Sequence, residues 1–182
     1  MNLPNKLTVL RVLMIPLFLI LYFCGQFLWA FIVFALASFT DMLDGMIARK
    51  YNLVTDFGKL MDPLADKLLT IAAFICLLAR HPLGEAAGLI MLIVIISREL
   101  IVTSIRLIAA EKGIVIAADK WGKMKTIAQM VWICQELLLR SFAAVPVWCT
   151  MAGDALLAVV VLLTVGSGVN YIIKNRKLLH DM

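Results

Sequence analysis

From Val12 to Thr40 the chain carries no charged side chain, and this run restricts the possible folds more than any other feature. It is too long for one straight crossing of a bilayer, which takes about 20 residues. Cys24-Gly25-Gln26 offers a break, giving one helix near residues 7–23 and a second near 27–50. The pattern continues beyond them. Helix three runs from about Asp62 to Ala79 and is ended by Arg80-His81-Pro82. Helix four occupies about 85–110, with Arg98, Glu99 and Arg106 in its second half. Helix five takes about 121–139 and helix six about 149–173. The chain is 63% hydrophobic and 16% charged, with a mean hydropathy of +0.99, whereas soluble domains are roughly 45–50% apolar and about 25% charged. One core in a 182-residue chain cannot hide that excess. The expected fold is therefore an all-α integral membrane protein, a bundle of six transmembrane helices forming a single domain over 1–182.

The basic residues sort between the two sides of such a bundle. Lys6 and Arg11 precede or open helix one. Arg49, Lys50 and Lys59 lie between helices two and three, and Lys112, Lys120, Lys123 and Lys125 between four and five. Lys174, Arg176 and Lys177 follow helix six. The opposite side has only Arg80 and Arg140. The positive-inside rule then puts both termini in the cytoplasm, which requires an even number of spans. The net charge of +5 fits this bias and anionic lipid headgroups. Nucleic acid is not expected as a partner, because no basic soluble face exists. No cleavable leader is expected either: Leu21-Tyr22-Phe23 before Cys24 is bulky where a lipoprotein peptidase needs small residues. Cys24, Cys76, Cys134 and Cys149 lack metal-ligand spacing and are read as thiols in apolar helices.

Acidic residues inside apolar helices are costly, about 2.5–3.5 kcal/mol each at a helix centre, yet four fall in one region. Asp41 and Asp44 are three residues apart, Asp62 and Asp66 four apart, so each pair shares a helical face. The segment Lys50 to Phe57 reads as a short cytoplasmic turn, which makes helices two and three antiparallel neighbours with both pairs at their cytoplasmic ends. Four converging carboxylates would repel and mostly protonate, whereas two divalent cations would neutralise them. Oxygen ligands without His or Cys suit Mg²⁺ or Mn²⁺, and a pair of such ions can clamp a phosphate. Gly45, Ala48 and Gly58 leave room for a ligand or helix to approach the backbone. Arg49 adds a fixed cation suited to a phosphate.

Asp41-x2-Asp44-Gly45-x2-Ala48-Arg49-x8-Gly58-x3-Asp62-x3-Asp66 resembles the signature of the CDP-alcohol phosphotransferase family at every position. Chance agreement at these eight positions is on the order of 10⁻¹⁰ per starting point. The resemblance implies that Asp41, Asp44, Asp62 and Asp66 hold two divalent ions, with Asp66 also the general base. It implies a CDP-linked lipid donor bound near Gly45, Ala48, Arg49 and Gly58, and attack of an acceptor hydroxyl on the lipid-side phosphorus with release of CMP. A six-helix homodimer with a cytoplasm-facing site is implied too.

The signature leaves the acceptor open. Arg98 and Arg106 are eight residues apart and share one face of helix four. Arg98 lies too deep to snorkel comfortably and needs an anion; Glu99 is expected to point elsewhere on the helix. With Lys123 at the start of helix five, they form a candidate phosphate site. Ser97-Arg98-Glu99-Leu100, Arg106, Gly122-Lys123-Met124-Lys125-Thr126 and the opening Asn2-Leu3-Pro4-Asn5-Lys6-Leu7-Thr8 with Arg11 resemble the bacterial branch of the family that makes phosphatidylglycerol phosphate. That resemblance implies CDP-diacylglycerol and glycerol 3-phosphate as substrates and a location in the bacterial cytoplasmic membrane. Serine, inositol phosphate and phosphatidylglycerol are the alternative acceptors. A small cation transporter is the alternative class, disfavoured because the acids gather at one end.

Lys112, Lys120 and Lys125 read as interface anchors. Asn5, Thr8 and Arg11 either line the nucleotide site or anchor the first turn. His81 and His180 read as surface residues without a partner acid, and Asp154 as an extracytoplasmic end residue. The four tryptophans read mostly as an interfacial belt. Beyond about residue 130 the sequence reads as generic apolar helix.

Overall fold

A computed structural model of the chain describes the backbone of residues 3–51, 56–79, 81–82, 84–111, 113–114 and 119–176; the side chains of 3–7, 41–51, 56–63, 66 and 111 lie outside the description. Within it run six helices and no strand: α1 (Leu3–Phe23), α2 (Phe27–Tyr51), α3 (Asp56–Leu78), α4 (Glu85–Glu111), α5 (Lys120–Ser141) and α6 (Val147–Lys174). The expected helices are all present. The largest differences are at α1 and α3, which begin four and six residues earlier than hydropathy alone indicates. Helical backbone continues into the polar turns that a hydropathy window discards.

The ends of α1 and α4 share a cause. After α1, Gln26 N–H reaches the Leu21 carbonyl at 2.9 Å and Gly25 N–H reaches that of Tyr22 at 3.0 Å. After α4, Ile114 N–H bonds the Ala109 carbonyl at 2.8 Å and Gly113 N–H that of Ala110 at 3.0 Å. This paired closure needs a left-handed residue just past the helix, and glycine supplies it at φ 74° for Gly25 and 75° for Gly113.

The helices fall into two compact units. The first comprises residues 1–77 and 133–145, the second 78–132 and 146–182. In the first, α1 packs on α2 through an aromatic cluster: Phe18 lies 6.2 Å from both Tyr22 and Phe34, and Tyr22 meets Phe27 edge-on at 5.4 Å. Tyr22 Oη donates to the Cys76 carbonyl at 2.6 Å. Arg140 Nη2 donates to the Leu77 carbonyl at 3.0 Å, and its Nη1 bonds the Tyr22 hydroxyl. The C-terminal ends of α1, α3 and α5 therefore meet at one arginine, which satisfies carbonyls that a helix end leaves unpaired.

In the second unit α4 packs on α6. Contacts between them keep one chain order: His81 Nε2 lies 3.6 Å from Asp154, Arg98 bonds Ser167, and the Arg106 guanidinium covers the Tyr171 ring. The two helices thus run in the same direction. His81 is buried and paired with an acid on α6, so the surface reading for it does not hold. Trp132 is likewise fully buried, whereas Trp29, Trp121 and Trp148 are exposed as a belt residue would be.

Glu85–Ala110 and Val147–Lys174 are long and apolar enough to cross a membrane, with mean hydropathies of 2.1 and 2.2. Only 22% and 33% of an apolar 18-residue window within them is buried, the reverse of a core helix in a soluble protein. Among the described residues the apolar parts of α1, α2 and α3 are shorter: Thr8–Phe23, Phe27–Thr40 and Lys67–Leu78.

Candidate active site

The four aspartates sit on two continuous helices. Asp41 and Asp44 lie in the second half of α2, and Asp62 and Asp66 in the first half of α3. The clamp at Tyr22, Leu77 and Arg140 marks the other end of this unit. Asp41 is fourteen residues beyond the start of α2, about 21 Å along its axis, and Asp66 precedes Leu77 by about 16 Å. Both pairs thus lie on backbone remote from the clamp. Their side chains, with those of Arg49, Ala48 and the sites at Gly45 and Gly58, fall outside the described residues. As a donor set, four carboxylates without nitrogen or sulfur suit a hard divalent cation.

The second cluster is described in full. Arg98 on α4 is 13% exposed and donates from Nη2 to Ser167 Oγ on α6 at 3.0 Å. Its Nη1 lies 3.6 Å from Glu99 Oε1, and the same carboxylate holds Lys125 Nζ of α5. Glu99 and Lys125 are 8% and 2% exposed. Two expectations are corrected here. Glu99 turns toward Arg98, because its side chain reaches sideways to the cation of α5. Lys125 is no interface anchor; it belongs to the buried α5 stripe with Gln129, Trp132, Ile133 and Leu137, whose spacing follows the helical repeat.

Arg106, two turns on, stacks its guanidinium 5.5 Å above the Tyr171 ring, a favourable cation–π arrangement. Arg98 Nε, Arg106 Nε and the Tyr171 hydroxyl are all buried without a hydrogen-bond partner among the described residues. Donors so placed cost about 1–3 kcal/mol each when left unmade. Two of them belong to the stacked Arg106–Tyr171 pair and the third lies two turns earlier on α4, and unmade donors of this kind suit an acceptor-rich group. Lys123, in contrast, is exposed; the lysine linked to Arg98, through Glu99, is Lys125. Gly168 keeps the site open, since a Cβ there would come within 3.1 Å of Arg98 Cγ.

Ser167 and Tyr171 come from the part of the sequence read as generic apolar helix. The signal was present: Thr164, Ser167 and Tyr171 recur at helical spacing in the last apolar stretch, although in membrane helices such residues also serve simply to bind helices together.

Comparison with known proteins identifies the family. The sequence matches the CDP-alcohol phosphatidyltransferase family model over residues 1–167, and the chain belongs to that family. It is 44% identical over 190 residues to the CDP-diacylglycerol–glycerol-3-phosphate 3-phosphatidyltransferase of Bacillus subtilis, covering 96% of this chain and 95% of that one. The proteins of the same name from Rickettsia typhi and Pseudomonas fluorescens are 36% and 37% identical over 173 and 179 residues. Those matches cover 93% and 94% of this chain and 94% and 89% of the relatives.

Proposed function

We propose that the chain transfers the phosphatidyl group of CDP-diacylglycerol to glycerol 3-phosphate, giving phosphatidylglycerol phosphate and CMP. Family membership supports the donor class and the reaction, and the relatives' shared name supports the acceptor. The observation that carries the acceptor reading is the set of unpartnered donors on Arg98, Arg106 and Tyr171. Together with Lys125 they suit a phosphate monoester, which carries about −1.5 to −2 at neutral pH. Serine offers no phosphate to such a site. Lys123, exposed at the start of α5, serves the approach of an anionic acceptor.

In this reading Asp41, Asp44, Asp62 and Asp66 hold two divalent ions, Mg²⁺ or Mn²⁺, whose chemistry when bound is to neutralise the donor diphosphate. Gly45, Ala48 and Gly58 let that diphosphate lie close to the helix backbones, and Arg49 adds a cation. Asp66 takes the proton from the acceptor hydroxyl as its oxygen bonds the lipid-side phosphorus and the bond to CMP breaks. Arg98 and Arg106 hold the acceptor by its phosphate, so positioning supplies much of the rate. All six helices cross the cytoplasmic membrane, with both termini and the site on the cytoplasmic side, and two copies associate as a homodimer. The parallel course of α4 and α6, and separately the shared end of α1, α3 and α5, each fit helices that alternate in direction along the chain.

Purified protein given CDP-diacylglycerol, Mg²⁺ and labelled acceptors is expected to release CMP with glycerol 3-phosphate and not with serine. Incorporation of serine in preference to glycerol 3-phosphate would overturn the assignment.

A further inference from the structure

Glu99 has two cations for company in place of water. Its carboxylate meets Arg98 Nη1 at 3.6 Å and holds Lys125 Nζ, with Glu99 and Lys125 both nearly inaccessible. A buried ion pair is a weak source of stability, because desolvation offsets most of the attraction and apolar replacements often do as well. Its place beside Arg98 is the better reason for it. The Arg98 guanidinium is engaged on two sides, Nη1 by an ion pair with Glu99 at 3.6 Å and Nη2 by a hydrogen bond to Ser167 Oγ at 3.0 Å. Its planar fork is rigid, so fixing two nitrogens fixes the direction of the third. That third nitrogen, Nε, is one of the buried donors without a partner among the described residues. Gly168 and Gly122 back the same side chain, a Cβ at either lying 3.1 Å from Arg98 Cγ or 3.7 Å from Nη2. Glu99 also sets the charge. It sets one negative charge among the three positive ones of Arg98, Arg106 and Lys125, a balance better suited to a phosphate monoester than to a diester.

We infer that Glu99 is a positioning residue that sets acceptor specificity, holding Arg98 so that its Nε edge meets the acceptor's phosphate and trimming the cluster's charge to suit a monoester. The inference rests on the proposed reaction. The test uses the full-length purified protein, first measuring the parent's rates against glycerol 3-phosphate and CDP-diacylglycerol. Glu99→Gln is expected to raise KM for glycerol 3-phosphate about tenfold or more, the scale of a lost charged hydrogen bond, with KM for CDP-diacylglycerol held within about twofold. Glu99→Asp should recover part of the loss. The exchange Glu99→Lys with Lys125→Glu rebuilds an α4–α5 ion pair but sets a cation against Arg98, so the KM defect should persist. Should Glu99→Gln not fold, Glu99→Gln with Lys125→Met removes both members of the pair and is compared with Lys125→Met alone, above which its KM for glycerol 3-phosphate should rise further. Recovery of the parental KM in the charge exchange would reduce Glu99 to a tie between helices and overturn the inference, as would equal changes in both KM values. A parent that uses serine in place of glycerol 3-phosphate would sink the proposed reaction; a parent that uses glycerol 3-phosphate, with unchanged variants, would sink this inference alone.

Discussion

Arg98, Arg106 and Tyr171 carry buried donors with no partner among the described residues, and their energetics make sharp predictions. Tyr171→Phe removes one buried hydroxyl while keeping the ring under the Arg106 guanidinium. It should therefore weaken acceptor binding without loosening the packing. KM for glycerol 3-phosphate is expected to rise about 5- to 15-fold, the scale of one hydrogen bond of about 1–1.5 kcal/mol, while the melting temperature holds or rises slightly. Steady-state kinetics and thermal unfolding in detergent check both halves. At the acidic end, Asp66→Asn keeps the shape but removes the carboxylate proposed as proton acceptor. CMP release should fall by at least 10²-fold, the usual contribution of general base catalysis, with the helical circular dichroism unchanged; near-parental release would remove Asp66 from that role.

Between helices, small residues decide the spacing. A Cβ on Gly88 of α4 would come within 2.4 Å of the Leu78 carbonyl oxygen, and a backbone atom cannot swing aside. Gly88→Ala should destabilise the protein by about 1–3 kcal/mol, whereas Gly166→Ala on α6 meets nothing within 4 Å and should be neutral or slightly stabilising through helix propensity. Comparing the two melting temperatures separates a steric cost from a general effect of glycine. The clamp formed by Arg140 works at the same scale: it joins helix ends from three separate stretches of chain.

For the whole molecule, the proposed metal-holding role of the four aspartates predicts a dependence on divalent cations. Chelation with EDTA should abolish CMP release, and Mg²⁺ or Mn²⁺ should restore it while Ca²⁺ does so poorly, since Ca²⁺ prefers larger and looser coordination. Activity that persists after exhaustive chelation would contradict the four-aspartate site. Orientation is open to an equally direct measurement. In sealed inside-out vesicles a protease should reach a tag placed after Met182, and in right-side-out vesicles it should not.

What the sequence determined by itself is the all-helical layout, because a run of apolar side chains between polar breaks leaves the backbone little choice but helix. The spacing of the aspartates was legible for the same reason: three- and four-residue intervals have one meaning on a helix. Partnerships between helices were not. Glu99 read as turned away from Arg98, Lys125 as an anchor at the interface, His81 as a surface residue, and Ser167 with Tyr171 as part of a generic apolar stretch. Each depends on which neighbour the other helices bring within a few ångströms, and a one-dimensional pattern specifies the face a residue occupies without specifying what that face meets. The tertiary structure supplied those encounters, and with them the buried donors that give the acceptor reading its chemistry.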